Sequence, residues 1–117
     1  MPPCPIVPCR APRGGAIVRE AILLFVIHAL DHAEALKTRL ANYDAHKAFL
    51  SDTSRFGVAI VMSGPLVSDD GQTMIGSLFL VEAPDRNAVE AFNRADPFAV
   101  AGIWRSVTIT AFHRRQG

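Results

Sequence analysis

The sequence predicts an α+β domain with the element order β-α-β-β-α-β, and three observations predict it. Four short runs have strand character: Ile22–Leu30, Val58–Met62, Ile75–Val81 and Ser106–Phe112. Helical periodicity fills the gaps after the first run and after the third. Between the second and third runs only turn residues occur, Asp69-Asp70-Gly71 among them, so those two strands should form a hairpin.

Each element has its own reason. Residues 1–19 carry four prolines in the first ten positions, followed by Pro12, Gly14 and Gly15. Such a stretch forms neither a helix nor a central strand, so it is expected to be a flexible arm before a domain spanning 20–115. Ile22–Leu30 is apolar and rich in β-branched residues, as a central strand should be. Asp31, with Glu34 three residues on, matches a capping box for a helix from Ala33 to about Asp52. Leu36, Leu40, Tyr43, His46 and Leu50 share one face of that helix at a 3.6-residue period. The second strand begins at Phe56 or Gly57, and Ser63-Gly64-Pro65 is expected to end it. Pro84 and Asp85 open a second helix with Ala88, Val89 and Phe92 on its apolar side. That helix stops near Asp96-Pro97, because the residue before a proline disfavours helix. Ser106–Phe112 alternates polar with apolar as the last strand.

This order is the ferredoxin-like split βαβ unit, a four-stranded antiparallel sheet with two helices on one face. The first three strands are apolar on both faces, and two helices cover only one of them. A homodimer packing sheet against sheet is therefore expected.

The totals narrow the function classes. A chain of 117 residues with half of them hydrophobic makes one globular domain. A net charge of +1 gives no basic surplus for nucleic-acid binding. The apolar run from Ala21 to Ile27 follows Arg10, Arg13 and Arg19, as in a signal peptide, but it is too short for a membrane helix and is flanked by His28 and Asp31. It is read as a buried strand. Cys4 and Cys9 both lie in the arm, so the domain has no disulfide framework, and a free pair in a reducing cytoplasm is expected.

Chemistry points first to His46, whose imidazole titrates near working pH, and to Asp96, a carboxylate at a helix-to-loop junction. Together they make a minimal acid–base pair, in which Asp96 orients the imidazole. The same two residues equally fit a structural histidine satisfied by a carboxylate. Arg39 lies two turns before His46 and would suit a substrate carboxylate or phenolate, or would simply lie along the helix. Ser63, Gly64 and Pro65 fall where ligands approach strand ends, and they also fit a plain turn. His28 and His32 are separated by a strand-to-helix junction, so no metal site is expected. No glycine-rich phosphate loop or nucleophile elbow occurs, and no cofactor is expected. Phe79, Phe98 and Trp104 are read as core or interface aromatics.

Five segments carry a resemblance: Arg39-Leu-Ala-Asn to His46 and Phe49-Leu50, Ser63-Gly-Pro-Leu66, Gly76-Ser-Leu78, Val81-Glu-Ala83, and Ala95-Asp-Pro-Phe98. In this order, over roughly 21–113, the chain resembles the YciI-like family, named for its YCII domain. The resemblance implies a ferredoxin-like subunit that dimerises into an α+β barrel, and a His–Asp pair that here matches His46 and Asp96. Some members of the family act as dehydrochlorinases on chlorinated aromatics, and muconolactone isomerase has a similar fold. Members often carry Arg-Pro between the first arginine and the histidine, where this chain has Tyr43-Asp44. Tyr43 would offer a hydroxyl in place of that cation. Two functions follow as expectations. One is a cofactor-free isomerase or dehydrochlorinase acting on a small cyclic or aromatic compound. The other is a non-catalytic dimer that binds a small metabolite.

Overall fold

A computed structural model describes residues 22–117; the proline-rich arm, Cys4, Cys9 and the three arginines before the first strand lie outside the described residues. Four strands, β1 (Leu23–Asp31), β2 (Ala59–Val67), β3 (Met74–Ala83) and β4 (Trp104–Phe112), form one sheet in the order β2-β3-β1-β4. Every pairing is antiparallel. The helical segments are α1 (Leu36–Ala41), α2 (Tyr43–Leu50), α3 (Arg86–Ala95) and α4 (Pro97–Val100). The expected βαββαβ order is therefore the observed one. No described helix is long and apolar enough to cross a membrane.

Phe25 and Ile27 on β1 stand in register with Val81 and Phe79 on β3. Alternation sends all four to the same face, where they are buried with Phe49, Val89 and Phe92. Phe92 stacks on Phe49 with centroids 5.5 Å apart and meets Phe79 edge-on at 5.9 Å. The opposite face carries Leu24, Val26, Leu30, Met62, Leu66 and Leu78, none of them fully buried. At Gly76 on β3 a Cβ would run into the Ala29 carbonyl oxygen of β1.

Three local expectations are corrected. Asp31 does not cap the first helix, because it ends β1 and its carboxylate is held by Arg39. The helix starts at Leu36 after Ala35, with no side-chain cap, and Glu34 takes a left-handed φ of 62° to turn the chain. For a non-glycine residue that conformation costs roughly 1–2 kcal/mol. Glu34→Gly is therefore expected to raise stability by up to about 1 kcal/mol after the added chain entropy is offset, which thermal unfolding would show.

Second, the single helix expected from Ala33 to Asp52 is bent in two at Asn42, with φ −106° and ψ 7°. The Asn42 amide donates to the Thr38 carbonyl at 2.9 Å, a local bond that competes with regular helix. Only part of the expected stripe is buried, His46 with Leu50 packed beside the core. Ala35, Arg39, His46 and Phe49 point inward, while Leu36, Leu40 and Tyr43 are 37%, 55% and 45% exposed. Arg39 and His46 each reach a carboxylate inside.

Third, Ser63-Gly64-Pro65 does not end the second strand. β2 runs through it to Val67, with Ser63 opposite Phe79 and Pro65 opposite Ser77. A proline is tolerated there because β2 is an edge strand.

Two exposed carboxylates organise turns. Asp52 accepts from the Ser54 hydroxyl and backbone N–H, and Asp70 accepts from the Ser68 hydroxyl and the Gln72 N–H. These donors hold both carboxyls below the usual carboxylate range. What they contribute is present above the ordinary carboxylate pKa and is lost as pH falls through the lowered values.

Candidate active site

The inward stripe of α1 and α2 brings His46 over β3, where its ring meets Phe79 edge-on at 6.1 Å. Asp96 reaches the same point from the other half of the chain. α3 stops at Ala95 because Pro97 forces Asp96 into an extended conformation, φ −62° and ψ 132°. That turn aims the Asp96 side chain back at the helix start, and Oδ1 accepts the Phe98 N–H at 2.8 Å as the cap of α4. The same oxygen lies 2.8 Å from His46 Nδ1. Asp96 is fully buried at 0% exposure, and His46 is 8% exposed.

With Asp96 as a carboxylate, Oδ1 can only accept, from the Phe98 N–H and from His46, and that arrangement pairs with the proton on Nδ1. In the neutral ring Nε2 is then the lone-pair nitrogen, and no described residue donates to it. The ring lies flat on Phe98, with centroids 3.9 Å apart and planes 6° from parallel. A cap, an ion-pair partner and a stacking surface thus fix the imidazole at one edge and one face.

Arg39 is also drawn inside, but it is already occupied. Its Nε and Nη2 donate to the two oxygens of Asp31 at 2.9 Å each, and Nη2 also donates to Ser77 Oγ at 2.8 Å. The guanidinium carbon lies 4.7 Å from the Phe98 ring centroid. Side-chain exposures of 4% and 5% make Arg39–Asp31 a buried, bidentate pair with no net charge. The guanidinium expected to take a substrate carboxylate or phenolate, or to lie along the helix, is held by Asp31 and Ser77.

The remaining expected residues separate by strand alternation. Ser63 and Pro65 share the helix-covered face with Phe79 and Ser77, so they border the region above which His46 and Arg39 lie. Gly64, opposite Leu78, belongs to the uncovered face. Tyr43 is half exposed, with Lys47 Nζ 5.3 Å from its ring centre. A groove of about 230 Å³ lies beside the site, between the Asp31–Leu36 loop and the start of β3; it is lined by Glu34, Leu36, Met74 and Ile75 and shares only Asp31 with the groups above. Sequence reasoning passed over Ser77 and read Phe98 only as packing. Ser77 carried a usable signal: it is a polar residue in phase with core-facing Phe79 and Val81.

Fold and site together define a ferredoxin-like α+β domain that carries a buried His–Asp pair between its helices and sheet. The YCII-related domain model matches residues 23–113, and the chain belongs to that family. It is 32% identical to Protein YciI of Escherichia coli O6:H1, over 79% of this chain and 98% of that protein. Protein YciI of Shigella flexneri gives the same identity and coverage. Among solved structures, the chain is similar to 5-chloro-2-hydroxyhydroquinone dehydrochlorinase (TftG) from Burkholderia phenoliruptrix AC1100, in complex with 2,5-dihydroxybenzoquinone. That match has a TM-score of 0.67 at 29% identity, covering 81% of this chain and 96% of the other.

Proposed function

We propose that this protein is a cofactor-free acid–base enzyme that acts on a small, uncharged cyclic or aromatic compound, by isomerisation or by loss of HCl. The observation that carries the reading is the 2.8 Å contact between His46 Nδ1 and a fully buried Asp96 oxygen. Asp96 holds the proton on Nδ1, so Nε2 is the base that takes a proton from the substrate, and Asp96 stabilises the imidazolium that forms. In an elimination, the C–Cl bond breaks as that proton is removed. Chloride leaves with the bonding electrons, and the imidazolium returns its proton to water. The likeness to TftG supports elimination as the first chemistry to try.

Arg39 argues for an uncharged ring, since Asp31 already neutralises it. Ser63 and Pro65 from β2 and Tyr43 from α2 would form the rim that contacts the substrate, with Arg39 below. The working unit is a homodimer that covers the apolar sheet face, in a cytoplasmic setting.

The test is chloride release from 5-chloro-2-hydroxyhydroquinone, measured beside a carboxylated analogue. Turnover of the uncharged ring with little on the carboxylate is the expected result. Tight binding of the ring with no chloride released would instead identify a non-catalytic binding module.

A further inference from the structure

Three buried side-chain atoms have no hydrogen-bond partner among the described residues: Asp96 Oδ2, Asn93 Nδ2 and Trp104 Nε1. A buried polar atom left unpaired costs about 1–3 kcal/mol, so three in one small domain call for a physical reason. Their polarity is complementary, with one carboxylate acceptor and two N–H donors. Asn93 lies on α3, Asp96 at the junction of α3 with α4, and Trp104 at the start of β4. Asn93 and Asp96 are one turn apart, and the Asn93 carbonyl accepts the Asp96 N–H at 3.3 Å. Trp104 stands edge-on to Phe98 at 6.1 Å, and Phe98 is the residue that Asp96 caps and on which His46 stacks.

We propose that Asn93 and Trp104 are positioning residues for the His–Asp pair, acting through the second oxygen of Asp96. A single internal water that accepts from Nδ2 and Nε1 and donates to Oδ2 would satisfy all three atoms; buried waters typically make about three such bonds. Asp96 then has both oxygens engaged, Oδ1 by His46 and the Phe98 N–H, Oδ2 through this donor set. The donors fix the rotation of the carboxylate and spread its charge, which sets how strongly it draws on the Nδ1 proton. The inference rests on the acid–base reading of the pair only for its catalytic consequence.

The sign follows from which form the donors favour. Hydrogen bonds to a carboxylate stabilise its charged state. Removing one leaves the pair with a greater appetite for a proton, and the pair titrates as a unit. The other charged groups near the imidazole, Arg39 and its partner Asp31, are untouched by the change.

The experiment is an NMR titration of the His46 ring in the wild type, Trp104→Phe, Asn93→Leu and Asp96→Asn. Trp104→Phe and Asn93→Leu should each raise the His46 midpoint by about half a unit or more, whereas Asp96→Asn should lower it. Midpoints unchanged in both donor variants, beside a lowered one in Asp96→Asn, would overturn the proposal and leave the pair intact. An unmoved midpoint in Asp96→Asn would sink the pair itself. Should a donor variant fail to fold, the wild type still decides. The chain has one tryptophan, so its single indole N–H resonance must shift with the same midpoint as the His46 ring. A flat indole signal would refute the coupling. None of these readings needs turnover.

Discussion

Exchange of His46 for asparagine is expected to lower turnover by about 10²–10⁴-fold, the usual contribution of a positioned acid–base group, with the fold retained. The asparagine amide nitrogen falls close to the place of Nδ1 and can still donate to Asp96 Oδ1. It therefore keeps a bond that ties α2 to Asp96, between α3 and α4. What it cannot do is accept and return a proton. The informative comparison is turnover against the midpoint of thermal unfolding. Lost turnover with a near-native midpoint supports proton shuttling by His46. Retained turnover would refute the acid–base role, and a collapse in stability would point to a structural histidine.

A larger effect on stability is expected at Arg39. Arg39→Met keeps the length of the side chain but strands Asp31, whose side chain is 5% exposed, and leaves Ser77 Oγ without its donor. Breaking a buried ion pair from one side typically costs about 3–5 kcal/mol. In a domain with the usual total of about 5–15 kcal/mol, that is a large share. Urea unfolding should show the midpoint falling with an unchanged slope. The double variant Arg39→Met with Asp31→Leu should recover much of the loss, because an apolar pair of similar volume replaces charges that were costly to desolvate. If Arg39→Met alone is neutral, the pair is open to water and the argument for an uncharged substrate falls with it.

The fold was legible because it rests on signals that are local. Strand runs, the turn at Asp69–Gly71 and the Asp96-Pro97 break each read from a few adjacent residues, and the observed elements agree to within about two residues at most ends. Of the stripe expected on the first helix, His46 is buried and Leu50 packs on the core, while Leu36, Leu40 and Tyr43 are exposed. The pairing of His46 with Asp96 is expected from residue types and family resemblance, but nothing in the sequence shows that Arg39 will find Asp31 eight residues away, and Leu36 and Leu40 are exposed. Asp31 shows the same limit, since a capping box and a strand-end partner for arginine look alike until the chain folds. Pro65 was misread for a different reason. A proline stops a central strand but not an outer one, and strand order is a property of the whole sheet.

That outer position of Pro65 bears on how molecules of this protein avoid one another. A sheet edge presents a row of free N–H and C=O groups that can capture a strand from a neighbouring chain. On β2 this row is interrupted by the missing N–H of Pro65, and register shifts fall between Ile60 and Met62 and between Leu66 and Val67. An incoming strand would find no unbroken ladder to follow. An edge broken in this way is a poorer template for an added strand than an unbroken one.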